Sequence, residues 1–415
     1  MDAFHRMHQV KMANSKKELT GWIVTCTENS MLLKTFAGEV RLQLQSSKGI
    51  TQNQVKLNSF VKVIVLQKEN IFEIEKIEVI SESRDEFPLE PDIDYSKNLK
   101  VRHLWMRNEK MRALIMIRNQ VLKYVSEFLD SNGFIQVQTP VITGTECVCS
   151  GSVFGMEYYG RTGVLNQSPW MYVDCIVNSG VEKVYAVMPS FRREEKQTAY
   201  HLSELWHIQC DQALITNEEA MQLEEKMICY VISHLLEKME SELNILGSNI
   251  NALRQIAAPF ERVDYDSAIK ILKNSQIEIE WGKDLDKEEQ TILSTKIGKP
   301  FFLYNPPFKT TNFFFRRDEN RPEIAFTHDL YMPGVGEVIG GGERISDIDQ
   351  LKKNMLEFGS MFDEYEWYLE GKKYGAIPHS GFNIGFDRLI MWIIGADDIR
   401  EAVLFPRIPD CDIKP

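Results

Sequence analysis

The sequence predicts an α+β protein: an antiparallel sheet flanked by helices, preceded by a small β-barrel. Two observations carry this. Strand-like runs cluster apart from helical ones, and short polar stretches join neighbouring strands as hairpins. A length of 415 residues fits two or three domains with a substantial core.

Residues 19–80 read as five short strands, LTGWIVT, MLLKTF, EVRLQLQ, FVKVIVLQ and IFEIEKIEVI, the pattern of an oligonucleotide-binding (OB-fold-like) barrel. The stretch SESRDEFPLEPDIDYSK has two prolines, six acidic residues and no periodicity. It places a linker at 89–107, between a barrel at 1–88 and a second domain at 108–415. From Asn108 to Ser131, Leu114, Ile117, Val121, Val125 and Phe128 recur at helical spacing, and Asn132-Gly133 supplies the stop. The run FIQVQTPVI follows as an alternating strand ending at Pro140. VEKVYAVMPSFRREE and LSELWHIQCDQALI then form a hairpin, and Thr216-Asn217-Glu218-Glu219 opens a helix to about residue 240 with a capping-box signature. Residues 300–345 return to strands, ending in GVGEVIGGGER. SGFNIGF runs into DRLIMWII as a strand entering a helix, with Arg388 in its first turn.

Composition narrows the function. No window approaches eighteen apolar residues and the polar start lacks a signal core, so a cytoplasmic protein without membrane contact is expected. Seven scattered cysteines with no CxxC pair fit reduced thiols, and Cys147-Val-Cys149 reads as a loop lining. The net charge of −12 argues against a general basic surface for nucleic acid, so a polyanion must be gripped locally. Residues 1–90 hold 12 Lys+Arg and 12 Asp+Glu, leaving the barrel neutral.

Period-two alternation puts Arg192 and Glu194 on one face of the first hairpin strand, where a guanidinium can clamp a phosphate and a carboxylate can accept from a base edge. His201 is a second candidate phosphate donor. Arg388 adds a cation where backbone donors are unpaired at a helix start. Asp329 and Glu337, on either side of Pro333-Gly334-Val335-Gly336, suit Mg²⁺ between phosphates. Two arginines, a carboxylate pair and no Walker-type lysine loop suggest ATP held bent on an antiparallel sheet. The run EWGKDLDKEEQ reads as a solvated face.

In this order, RHLWMR, GFIQVQTPVI, SFRREEKQTAYHLSELW, GVGEVIGGGER, DEYEWYL, PHSGFNIGFDRLIMW and FPR, from about Arg102 to Arg407, resemble the class II aminoacyl-tRNA synthetases. The likeness is to the asparaginyl/aspartyl group, especially the asparaginyl enzymes of archaeal type. It implies the class II synthetase antiparallel sheet, a homodimer built partly through GFIQVQTPVI, ATP and Mg²⁺ as cofactors, and activation of an amino acid by attack of its carboxylate on the α-phosphate. By position, Arg192, Glu337 and Arg388 would be catalytic. Arg192 would hold the α-phosphate, Glu194 the adenine, His201 the outer phosphates, and Arg388 the adenine face and γ-phosphate, with Leu202 and Gly385 completing the nucleotide site. Asp329 and Glu337 would hold the metal, and Glu146, Gln167, Trp170, Gln209, Arg344 and Asn383 would meet the amino acid.

The amino-acid half departs from the family pattern. Trp170 stands where an amide is usual, Gln209 where a carboxylate is, Glu343 where a glutamine precedes Arg344, Asn383 where a glycine is, Tyr200 where an arginine precedes His201, and Thr145-Glu146-Cys147-Val148-Cys149 replaces the Glu-Gly-Gly loop. In the barrel, Ser30 and Arg41 occupy the anticodon-reading places, with Phe36 nearby for stacking. The expectation is an ATP-dependent, AMP-forming ligase of the asparagine–tRNA ligase kind acting on asparagine, aspartate or an analogue, with tRNA as acceptor. Two alternatives stand beside it: a tRNA-independent paralogue that passes an activated acid to ammonia or another small acceptor, and a non-catalytic regulator.

Overall fold

The computed structural model describes residues 15–44, 55–68, 71–90, 93–147, 152–360 and 362–413, so Cys149 lies outside the described residues. The chain divides into two compact units, Met1–Asp94 and Tyr95–Pro415.

In the first unit, β1 (Ser15–Cys26), β2 (Ser30–Thr35), β3 (Gly38–Gln43), β4 (Phe60–Lys68) and β5 (Ile71–Ser81) close a barrel in the order β1-β2-β3-β5-β4. Alternation drives the closure: Ile23, Met31, Leu33, Leu42, Val61, Val63, Val65 and Ile74 all point inward and are fully buried. Outside, Phe36 is exposed and meets the rings of Trp22 and Phe60 at 6.4 and 6.0 Å.

The second unit begins before residue 108. Arg102 and Trp105, in the short helix α1 (Arg102–Trp105), are buried, and the Arg102 guanidinium donates to the carbonyls of Ser96 (2.6 Å) and Arg400 (2.7 Å). The aperiodic stretch expected as linker to residue 107 is therefore anchored by one buried cation instead of by apolar spacing. Helix α2 (Glu109–Ser131) starts at the Asn108 cap and buries the apolar stripe read from its spacing.

FIQVQTPVI is not one strand. It gives only β6 (Ile135–Val137), parallel to the sheet edge, and then β7 (Ile142–Thr143), which joins β8 (Gly155–Tyr158) and β9 (Arg161–Leu165) in a separate sheet. Pro140 removes a ladder donor between them. After helix α3 (Trp170–Val177) come β10 (Lys183–Phe191) and β11 (Glu204–Ala213), then α4 (Asn217–Lys238) with the Thr216/Glu219 capping box, and α5 (Glu240–Leu246) and α6 (Ile250–Leu253). Next are β12 (Glu261–Asp264), α7 (Tyr265–Asn274), α8 (Lys287–Ile297), β13 (Phe301–Tyr304), β14 (Thr327–Met332) and β15 (Gly336–Arg344). The chain closes with α9 (Ile348–Glu357), α10 (Glu366–Lys372), β16 (His379–Gly385) and α11 (Phe386–Ile394).

Eight strands form one sheet in the order β12-β13-β14-β15-β16-β11-β10-β6. Its inner pairs are antiparallel, with one parallel pair at each end. Helix α4 packs on one face, where His328 bonds Glu224 (2.5 Å) and Asn217 (2.6 Å). The opposite face is covered at one end by α3, whose Val173 and Val177 pack on Val184, Ala186 and Ala213, and is open over its middle strands. Behind one end of that open face lies a buried polar chain. Lys372 of α10 donates to both oxygens of Asp174 on α3 (2.7 and 2.9 Å), and Tyr368 donates to the same carboxylate. His379 sets Nε2 3.6 Å from Asp174 and 3.5 Å from Asp211, and Asp211 lies 3.7 Å from Nε of Arg344.

Burial alone would raise the Asp174 carboxyl, but the Lys372 ammonium and His379 outweigh it and hold it below the ordinary value. Its stabilising contribution is therefore present above the ordinary carboxylate pKa and lost as pH falls through the lowered one. Lys372→Met, which strands a buried carboxylate, is expected to destabilise this unit by about 3–5 kcal/mol at neutral pH, with the deficit narrowing as acid protonates Asp174. Denaturant and acid titrations followed by circular dichroism check both.

Candidate active site

The open face of the sheet carries a cavity of about 430 Å³. One rung of its floor crosses four strands, aligning Gln209 on β11, Asn383 on β16, Gly340 on β15 and Asp329 on β14. A register shift between Leu330 and Tyr331 brings Glu337 opposite Tyr331, on the same face as Asp329; an unbroken ladder would have turned Glu337 away. Gly340 leaves room between the acids. A methyl there would stand 3.0 Å from Oδ1 of Asp329 and 3.3 Å from Oε1 of Glu337.

At this end the cavity is strongly charged. Arg192 lies one residue beyond β10, in the loop, with its backbone N–H still bonded to Ser203 O at 3.0 Å. Arg192 and Glu194 thus reach the cavity from the loop and not by strand alternation, because the hairpin ladder ends at Phe191. Burial and then Arg388 push the Arg192 guanidinium below its ordinary pKa, and its Nε is buried with no partner among the described residues. Arg388 is held by the carbonyls of Tyr200 (3.3 Å) and Glu337 (3.1 Å), with the Glu337 carboxylate at 3.6 Å. Its helix α11 is fixed at the start, where Asp387 pairs with Arg118 at 2.7 Å and accepts from the Trp206 N–H at 2.9 Å. His201 bonds Thr198 at 2.5 Å, and burial followed by Arg388 lowers its pKa, so it faces the cavity uncharged at neutral pH.

Asp329 is half-buried on the cavity floor, and desolvation, Glu337 and Asp284 together raise its carboxyl well above the ordinary value. Two neighbouring carboxylates facing one gap match what Mg²⁺ takes from a protein when phosphates and water complete its shell. No cluster of three or more metal-type ligands occurs among the described residues.

The other end of the cavity is closed by aromatics. Trp170 opens α3, donates its indole N–H to the Cys147 carbonyl at 2.9 Å and stacks on Phe314 at 3.8 Å. Phe314 and Phe315 in turn lie 5.1 and 4.9 Å from the Arg344 guanidinium. The indole is therefore part of the wall that backs Arg344, not a plug across the opening. Gly381 makes space for Asp211, whose carboxylate would collide with a Cβ at that position.

Residues 94–409 match the protein family described as tRNA synthetases class II (D, K and N). The chain belongs to this family. It is 34% identical to the asparagine–tRNA ligase of Thermococcus gammatolerans over 81% of this chain and 78% of that one. It is 32% identical to that of Pyrococcus horikoshii over 96% of each. The crystal structure of asparaginyl-tRNA synthetase from Pyrococcus horikoshii complexed with asparaginyl-adenylate superposes with a TM-score of 0.90 at 30% identity, covering 96% of both chains.

In this class II synthetase the cavity gathers Trp170, Arg192, Glu194, His201, Leu202, Gln209, Asp329, Glu337, Arg344, Asn383, Gly385 and Arg388. Glu146 and Gln167 are not among its described lining residues. Gln167 is buried and lies 3.5 Å from Ser152 O, while its neighbours Ser168 and Trp170 face the opening. Glu343 accepts from Asn217 N–H and Arg316 on the far face, so that departure from the family pattern lies outside the cavity. Sequence reading missed Asp211, although its place two residues after Gln209 on one strand was a usable signal. It also missed Asp284 and Gln290, which line the cavity from the run read as a solvated face.

Because the folded-state pKa of Asp329 is raised, its favourable contribution is complete only below the ordinary carboxylate value and declines as pH rises. Asp329→Asn is expected to raise the Tm of the ligand-free synthetase at neutral pH, with the gain disappearing below about pH 4. Calorimetric melts across pH check the sign.

Proposed function

We propose that this protein activates asparagine with ATP and transfers it to tRNA, as its asparagine–tRNA ligase relatives are named for doing. The observation that carries the reading is the pair of guanidinium groups, Arg192 and Arg388, converging from distant segments on one cavity that also holds two neighbouring carboxylates. The relatives favour the ligase over the tRNA-independent and non-catalytic alternatives.

The amino-acid carboxylate is already ionised at neutral pH and needs no general base. Its attack on the α-phosphate builds negative charge that the Arg192 guanidinium, whose Nε is buried without a partner among the described residues, can stabilise. Arg388 and His201 serve the leaving pyrophosphate, with Glu194, Leu202 and Gly385 framing the base. Asp329 and Glu337 would hold Mg²⁺, which supplies charge neutralisation for the phosphates when bound. Arg344 receives the side-chain carbonyl of the amino acid. Phe36, exposed beside Trp22 and Phe60, offers the barrel a stacking surface for a tRNA base. A homodimer is supported by exposed Ile135 on the short edge strand β6 and exposed Ile115 on α2. The described residues contain no helix long and apolar enough to cross a membrane, in keeping with work in the cytoplasm.

Asparagine-dependent ATP–pyrophosphate exchange and charging of tRNA test the reading. Arg192→Gln is expected to lower the exchange kcat by about 10²–10³-fold with the fold retained. A full exchange rate in that variant would refute the role given to Arg192.

A further inference from the structure

The amino-acid half of the cavity contains two carboxamides, one of them oriented by the acid beside it. Nε2 of Gln209 donates to Oδ1 of Asp211 at 2.5 Å, and Nδ2 of Asn383 donates to Oγ of Ser168 at 3.0 Å. A carboxylate only accepts, so reversing the Gln209 amide would set oxygen against oxygen. Two acceptors are left over. Oε1 of Gln209 and Oδ1 of Asn383 are both buried and have no hydrogen-bond partner among the described residues.

The two residues are register partners on β11 and β16, and both line the cavity. Buried acceptors without donors are costly, so a site that sets two side by side is suited to a ligand that brings N–H groups. The acids lining the cavity, Glu194, Asp284, Asp329, Glu337 and Asp387, include none from α3 or from the segment carrying Phe314, Phe315 and Arg344. Asp211, the acid behind this rung, is already engaged by Gln209 and flanked by Arg344 and His379. The rung between Arg344 and the nucleotide end therefore offers neutral oxygens where an ion pair would need a carboxylate.

We propose that Gln209 and Asn383 are specificity-determining residues whose amide oxygens together receive an N–H donor nitrogen of the substrate. A ligand bringing a carboxylate to that point would meet two acceptors and no donor. The nitrogen is either the α-amine or the side-chain carboxamide. This inference rests on the amino-acid-activating reading above and says how that site chooses its substrate.

The test measures pyrophosphate exchange by the full-length protein with asparagine, together with inhibition by aspartate, which lacks the carboxamide, and by succinamic acid, which lacks the amine. Asn383→Ala and Gln209→Met are each expected to raise KM for asparagine about tenfold, leaving kcat within about threefold and KM for ATP unchanged. Asn383→Asp, which keeps an acceptor oxygen in place, is expected to recover most of the loss seen with Asn383→Ala. If the inhibition constant of aspartate rises in parallel and that of succinamic acid does not, the α-amine is the donor; the reverse pattern assigns the carboxamide. An unchanged KM for asparagine in both folded variants, or equal losses for all three ligands, would overturn the proposal. Absence of exchange by the unaltered protein would count against the activating reading alone. Calorimetric binding of the same three ligands then decides the inference by the same ratios.

Discussion

Five buried groups, Lys372, Asp174, His379, Asp211 and Arg344, alternate basic and acidic from the interior to the cavity wall, and the substrate end of the site depends on this chain. An isolated guanidinium at Arg344's depth would be expelled or would recruit whatever acid lay nearest. Here Asp211 meets it from behind, Phe314 and Phe315 lie against it, and the balance behind Asp211 is completed two elements away. The guanidinium is thus oriented by groups that never reach the ligand.

The two ends of the cavity solve opposite problems. The end with Arg192 and Arg388 concentrates like charge: burial first, and then the neighbouring arginine or acids, lowers the guanidinium of Arg192 and raises the carboxyl of Asp329. These tensions are relieved only by a ligand that is itself polyanionic and brings cations. The other end has aromatic walls and neutral amides, which would select a ligand by hydrogen-bond direction more than by net charge.

Much of this was legible in the chain. The barrel, the Asn108-capped helix, the Thr216 capping box and the entry of β16 into α11 follow from local periodicity and cap chemistry, and the structure has each at the expected place. The residues of the nucleotide end stand in segments whose order could be read directly. What could not be read depends on tertiary partners. Arg102 pins the stretch taken for a linker through a carbonyl nearly three hundred residues away. Glu343 turns from the cavity because Arg344 faces it. The orientation of Trp170 is set by Phe314, which no spacing rule connects to it. Asp284 sits in a charged run that looks solvated until the fold brings Asp329 and Glu337 beside it.

The extra residue that the register shift places at Val338 makes the residue count of β15 a chemical parameter. Deleting it would restore strict alternation and rotate Glu337 out of the cavity. Engineers who graft loops into this scaffold have freedom at many surface turns, but along this strand the count of residues is as binding as their identity.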